Sequence, residues 1–445
     1  MRLTPTASAF RAYGALLGLL AALGATAVGA APKATLWKVT LAADLRSDDV
    51  LAGALVQKSG DLVAQVNVAY GKLGAPTGTE TRFVRFHNGG VLWLSRTAQV
   101  PGGLLAEAPN GGWYTVSSVP SVQASNADLL IRRRDAAGHL IWSVQWDDPQ
   151  HHPDLPHAVT ADSAGNLVIA GEADGRPAVW KCDPQGTLLW SASSTAGLGA
   201  YTHVAVTPAG AVSVAGTLTQ NEGDFLTARY GADGAEAWAQ VYPDLGGRAE
   251  QITALAHFAN GDVCVTGTSH TLTESGVILT LRYRADGALL WTQRYTDPDL
   301  LDLTPTGLAI DSFDYTYVYS TGWVDGRPLT VLIKYDPRSE PEWFVSRPGV
   351  QGLGLPGGDL RLDSKRYLHL YGRSTRSHQP FVLATYNVKG RALREVSLPL
   401  GADPALVELD PQRNLVVIAN PWRGKARKHD IVAAAVPVYT PTSLP

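Results

Sequence analysis

After Met1 the 445-residue chain contains no methionine, and it contains only two cysteines, Cys182 and Cys264. The first absence removes the thioether most readily oxidised to a sulfoxide, which suits an oxidising compartment. The second excludes a disulfide-built scaffold, which packs several pairs into a short chain. Both thiols lie in apolar, strand-like segments, AVWKCD and GDVCVTG, where a buried, unpaired and unreactive thiol is expected. Charge is scarce as well. Charged residues are 17% of the chain and the formal net charge is −3, so neither nucleic acid nor an anionic membrane surface is implied as a partner. There is no P-loop, no strand-linked G-x-G-x-x-G unit and no G-x-S-x-G elbow, which excludes the phosphate cradles and nucleophile turns those motifs build.

Long apolar runs are missing except at the start. Arg2 and Arg11 precede a run rich in Ala, Leu and Gly that ends in the small residues Val28-Gly29-Ala30. This reads as an export signal over residues 1–30, cleaved before Ala31. A retained anchor is the competing reading, although Tyr13 to Val28 is a shade short of a membrane span. With no cysteine near that site, a lipid anchor is not expected. The mature chain is therefore expected to be soluble in the periplasm, the cell envelope or the extracellular space.

What the chain has in abundance is turn formers and large rings: 45 Gly, 28 Pro and 12 Trp. That mixture favours many short strands over long helices. The tryptophans keep time. ATLWKV (Trp37), GGVLWLS (Trp93), GHLIWSV (Trp142), GTLLWSA (Trp190), GAEAWAQ (Trp238), GALLWTQ (Trp291) and EPEWFV (Trp343) form one series, and GRALREV puts Arg394 where an eighth Trp is expected. From Trp93 onward the intervals are 49, 48, 48, 53, 52 and 51 residues.

Two further series share the period. One is ADSAGNLVIAG, TPAGAVSVAG, FANGDVCVTG, DSFDYTYVYSTG, DSKRYLHLYG and DPQRNLVVIAN; the other is LLIRRR, AVWKCD, FLTARY, LTLRYR, VLIKYD and FVLATY, ending in DIVAAAV at 430–436. With a short leading strand such as HVAVT, each period holds four strands. They are joined by Asp-x-x-Gly turns, in which Gly accepts positive φ and Asp bonds its own backbone. Four-strand meanders repeating at about 50 residues predict a β-propeller. The chain starts on a Trp-type strand, Ala34 to Leu41, and ends on a third-type strand. If the first strand completes the last blade, the ring closes with eight four-stranded blades and no orphan edge. The domain then covers residues 31–440, with a short tail at 441–445, and is expected to be a monomer. Seven blades plus a separate N-terminal element is the competing count. Trp37, Trp93, Trp142, Trp190, Trp238, Trp291 and Trp343 are expected to fill the seams between neighbouring blades, a structural role needed once per blade.

The segments GDFLTARYGADGAEAWAQVY and LTLRYRADGALLWTQRY, followed by TGLAID and YVYSTG, resemble the SBBP-type bacterial repeat family of secreted and envelope propellers. The resemblance covers most of residues 34 to 436 and implies fold more than function. The Gly-x-x-x-Trp element also resembles the tryptophan-docking repeat of quinone-dependent dehydrogenases and of propellers that scaffold outer-membrane assembly. The enzymes of that group share a vicinal disulfide, and this chain has no adjacent cysteine pair.

Few constellations point to chemistry. The loop WDDPQHHPDLPH at 146–157 gathers His151, His152, Asp154 and His157 with Asp147 and Asp148, ligand types that a divalent metal such as Zn²⁺ takes; a solvated polar loop is the competing reading. Asp297, Asp299 and Asp302, and Asp44, Asp48 and Asp49, offer oxygens of the kind Ca²⁺ takes, without the D-x-D-x-D-G pattern. His203 and His257 lie on channel-side strands as acid–base or structural groups. Near the C-terminus, NPWRGKARKHD brings Trp422, Arg423, Lys425, Arg427 and Lys428, and the preceding repeat brings Arg373, Arg376 and His378. Together they form a candidate basic patch for a protein or anionic ligand at the rim. The function expected is a non-catalytic binding or scaffold propeller with no cofactor. An enzyme with a site in the channel mouth, or an envelope-assembly scaffold, is the alternative.

Overall fold

The computed structural model describes residues 37–41, 47–72, 75–98, 102–121, 126–147, 151–219, 223–243, 250–270, 276–353, 359–374, 381–398, 400–423 and 428–437. They form an eight-bladed β-propeller with no α-helix among the described residues. The strands of each blade are lettered a to d from the channel outward. Blades 1 to 7 occupy residues 47–98, 104–146, 154–193, 199–242, 251–295, 301–348 and 350–398. Blade 8 takes strands a to c from 404–437 and its strand d from Trp37–Leu41, which pairs antiparallel with Ile431–Pro437. The N-terminal strand thus closes the ring in the expected way.

The strand series differ because their burial differs. Strands b and c sit between two neighbouring sheets, so both faces are covered and their sequences read as continuous apolar runs. In blade 5, Val263–Ser269 and Val277–Tyr283 are buried at every position. Strand d is the outer edge, and its burial alternates, as in Leu188–Ser193. Apolar clusters fill the seams. Val66 and Phe86 of blade 1 meet Ile418 and Ala433 of blade 8, and Val168 and Val179 of blade 3 meet Val214 and Leu226 of blade 4.

The turns follow their predicted chemistry. In the c–d turn of blade 3, Asp183 Oδ1 accepts the N–H groups of Gln185 at 2.9 Å and Thr187 at 2.8 Å, and Gly186 takes φ 91°. The a–b turn of the same blade repeats the arrangement at Asp162, whose other oxygen meets buried Lys181 at 3.0 Å.

The tryptophans dock blade upon blade. A bulge just before each of Trp142, Trp190, Trp238, Trp291 and Trp343 re-aims the ring toward the next blade. The indole N–H of Trp142, Trp190 and Trp238 donates at 3.0 Å to the carbonyls of Pro184, Ala232 and Ala285, and that of Trp343 donates at 3.2 Å to Val388. Each acceptor is the second residue of the next blade's c–d turn. The fourth residue, Gly, lies flat on the indole: a Cβ added to Gly234 would stand 2.5 Å from Trp190, and one on Gly287 would stand 2.6 Å from Trp238.

Three seams depart from this rule, each with a cause. Blade 6 carries Ser339 at φ 79° in place of the turn Gly, and the buried Nε1 of Trp291 has no hydrogen-bond partner. Blade 1 closes its c–d hairpin with Asn88-Gly89, and the bulge falls at Leu94, after Trp93. At that seam Arg85 Nη2 donates to the Ala136 carbonyl at 2.6 Å, and Leu94 and Ser95 meet Gly138. At the closing seam, blade 8 has no covalent c–d turn because strands c and d come from opposite ends of the chain. Arg394, on strand d of blade 7, reaches across and donates to the Pro437 carbonyl at 2.7 Å. An extended guanidinium therefore replaces an indole where no turn glycine exists to receive one. The side chains of Trp37 and Trp93 lie outside the described residues.

Cys182 and Cys264 are unpaired and buried in blades 3 and 5. Burial, and then Asp183, pushes the Cys182 thiol up to about 12, and burial also raises Cys264.

Candidate functional site: the loop face and the channel mouths

The meander puts the a–b and c–d turns on one face of the ring, the turn face. The b–c and blade-to-blade connections lie on the other, the loop face. The turn face is built of short, hydrogen-bonded turns. The loop face varies more: its connections range from the two-residue tips Asp174-Gly175 and Asp325-Gly326 to the 420–430 segment of blade 8. That segment forms a separate small hairpin, Trp422–Arg423 paired with Lys428–His429.

The hairpin is rooted in the closing seam. Asn420 donates through Nδ2 to the carbonyls of Asp49 at 2.9 Å and Asp430 at 2.6 Å, and its Oδ1 accepts Leu51 N–H at 3.1 Å. The His429 amide donates to Asp48 Oδ1 at 2.7 Å, and the imidazole Nδ1 lies 3.1 Å from the same oxygen. Blade 8 is thereby fastened to blade 1 at the base of the hairpin. Asn420 was not singled out from the sequence. Counted from the turn aspartate, Ala419 stands where Gly171 and Gly372 stand in the parallel segments, and Asn420 lies one residue beyond.

Of the expected basic patch, Arg373 is described in full. It is already committed, donating through Nε to Asp403 Oδ1 at 2.9 Å. Arg376, His378, Lys425 and Arg427, and the side chains of Trp422, Arg423 and Lys428, lie outside the described residues.

The histidine loop does not converge. His151, at φ 58°, has Nδ1 2.6 Å from Asp147 Oδ2, while His152 Nε2 faces Asp174 at 3.8 Å. Asp154 is fully buried at the head of an inner strand, and His157 is an exposed bulge residue. Among the described residues no group of three metal-ligating side chains comes together. The strand's alternation and its bulge separate four residues that are neighbours in sequence.

The inner strands share a further device. In six blades strand a is bulged, at Ala52, His157, Thr202, Thr253, Thr306 and Ala405. A bulged residue leaves the ladder, so its carbonyl can turn sideways. Ala52 O accepts Gly103 N–H at 3.2 Å, Thr306 O accepts Asp359 N–H at 2.5 Å, and Thr253 O receives His203 Nε2 at 3.0 Å. The channel wall is stitched blade to blade through these carbonyls. His203 Nδ1 also meets Thr202 Oγ1 at 2.9 Å, so both ring nitrogens are engaged. Burial lowers the His203 pKa despite the Thr253 bond. Burial, reinforced by Arg229, takes His257 down to about 4. Both imidazoles are neutral near pH 7 and belong to the seam between blades 4 and 5.

Among the described residues, clefts open on both faces of the ring. One, of about 770 Å³, lies on the loop face beside the raised b–c hairpin of blade 6, with Trp323, Arg327 and Pro348 on its walls. The other, of about 450 Å³, lies at the turn-face mouth of the channel between blades 1, 2 and 3.

No family model matches the chain, and no curated protein matches it. Solved structures do. The β-propeller domain of the Trilobed protease from Pyrococcus furiosus, which has an open velcro topology, is 10% identical, with 79% of this chain and 95% of that one covered and a TM-score of 0.42. A polysaccharide lyase is 8% identical over 91% of this chain and 100% of its own, with a TM-score of 0.46. A gluconolactonase from Xanthomonas campestris is 15% identical over 62% of this chain and 90% of its own, with a TM-score of 0.31. These are likenesses of fold alone.

Proposed function

We propose that this chain is an exported, non-catalytic propeller that binds a protein partner on its loop face, with the 420–430 hairpin as the contact. The observation that carries this reading is the contrast between the two faces. Short hydrogen-bonded turns, and indoles docked by their N–H at four seams, make the turn face a rigid base, while the loop face carries connections of unequal length and one hairpin with its own ladder. Binding residues concentrate on loops held by such scaffolds. The hairpin also carries four of the chain's cations within six residues, Arg423, Lys425, Arg427 and Lys428, which favours an acidic protein surface as partner. Descent from SBBP-type repeats is part of the same proposal, on the strength of the Asp-x-x-Gly turn and the Trp spaced from it. The terminal segment over residues 1–30 lies outside the described residues, and its role as an export signal is likewise proposed.

The test compares the parent chain with a variant in which those four cations are reversed to Glu, each cross-linked in cell envelope and recovered by affinity capture. A protein retained by the parent and lost from the variant is the expected result. Equal recovery by both places the contact elsewhere and removes the hairpin from the reading. Recovery of nothing by either removes the binding reading itself.

A further inference from the structure

We propose that the cleft at the turn-face mouth, between blades 1, 2 and 3, binds a small zwitterion: a free α-amino acid with an apolar side chain. The cleft lies where the a–b turns of these three blades stand around the channel mouth. That of blade 2 is a 3-10 turn, Pro109–Gly111, which Gln57 Nε2 holds through the Gly111 carbonyl at 2.7 Å. The space between the turns is about 450 Å³, the scale of a small-molecule pocket.

The lining has the chemistry of one ligand class. Leu55, Leu105 and Val159 contribute apolar, half-buried surface. Lys58 and Glu107 add one charge of each sign. Glu107 is half-buried, and its Oε1 accepts the Lys58 backbone N–H at 3.1 Å. Neither side chain makes an ion pair with another among the described residues, whereas Asp162 is paired with Lys181 and Asp61 with Arg85 and His87. The Glu107 carboxylate suits an ammonium brought to it, because charge-assisted hydrogen bonds are stronger than neutral ones. The neighbouring lysine suits a carboxylate on the same ligand, and the exposed Ser163 hydroxyl on the lip can serve either group. An amino acid places its two charges one carbon apart and its side chain on the apolar wall.

This site is separate from the loop-face hairpin, and its test is independent of the test given above. Calorimetric titration of the full chain would use L-leucine, L-valine and L-phenylalanine. Isoamylamine, which lacks the carboxylate, and 4-methylpentanoate, which lacks the ammonium, would serve as controls. At least one amino acid is expected to bind at one site per chain, and each control to bind at least tenfold more weakly. Glu107→Gln and Lys58→Met should each weaken the amino acid at least tenfold. Glutamine keeps an oxygen for the Lys58 amide, so the melting temperature of the unliganded Glu107→Gln variant should match the parent's and show that the fold is kept. The hairpin charge-reversal variant should bind like the parent. Absence of binding by all three amino acids overturns the proposal, as does equal binding by either control or by both variants.

Discussion

The docking of Trp238 on Gly287 can be isolated by a pair of alanines. Gly287 has φ 91°, and a Cβ there would stand 2.6 Å from Cγ and 2.9 Å from Cδ2 of Trp238; Gly326 has φ 70° and nothing within 4 Å of its added Cβ. Both substitutions force an L-residue into the left-handed region, at about 1–2 kcal/mol. Both recover roughly 0.4–1 kcal/mol by narrowing the unfolded ensemble. Gly326→Ala should therefore destabilise by about 1 kcal/mol. Gly287→Ala carries the same net cost and also overpacks the indole, at about 1–3 kcal/mol. Pushing the ring away loses the 3.0 Å bond from Nε1 to the Ala285 carbonyl, worth about 1 kcal/mol. The second alanine should thus be worse than the first by about 2–4 kcal/mol. Urea unfolding followed by tryptophan fluorescence measures both. The excess should collapse when Gly287→Ala is made in a Trp238→Ala background, since the coupling belongs to that pair. Two alanines of equal cost, or an excess that survives without the indole, would refute the docking argument.

Three other outcomes follow from the same geometry. Ser339→Gly should stabilise by about 1 kcal/mol, because it removes a left-handed L-residue and clears the seat for Trp291; a fall in the urea midpoint would show that the Gln293–Ser339 bond of 3.1 Å matters more. Arg394→Trp should destabilise by about 1–3 kcal/mol by the same measurement, because a guanidinium bonded to Pro437 is exchanged for a ring with no turn glycine to lie on. Asp363 has no exposed side-chain surface. Burial raises its pKa, but bonds from His369, Arg413 and the Tyr367 N–H outweigh that and bring it from 3.8 to about 2. A depressed carboxyl stabilises the fold fully above its unfolded pKa and loses that contribution as pH falls toward the folded value. The stability gap between the parent and Asp363→Asn should accordingly shrink between about pH 4 and pH 2, and a gap independent of pH across that window would count against the ion-pair account.

The period of the tryptophans, the Asp-x-x-Gly turns and the unmatched strands at the two ends were legible in the sequence. They favoured eight blades and the closure, because turn chemistry and strand alternation are local properties that a short window of residues carries; that the inner strand of blade 7 is split into Val350–Gln351 and Leu360–Leu362 was not legible. The identity of the receiving group was not local. Trp142 and Trp93 look alike in sequence, yet only Trp142 has a bulge just before it, whereas Trp93 follows a hairpin tightened to Asn88-Gly89 and its strand bulges at Leu94. Arg394 read as a lapse in the repeat. Its reason lies on blade 8, whose outer two strands come from opposite ends of the chain, so no turn waits for a tryptophan. His151, His152, Asp154 and His157 read as one cluster because they are neighbours along the chain. Strand alternation and a bulge sent them to different partners. The turn-face pocket needed three blades to be side by side before their a–b turns enclosed a space. Local spacing fixed the ring and its blades, while contacts between residues about fifty positions apart, which only the closed ring brings together, decided what each seam and each mouth contains.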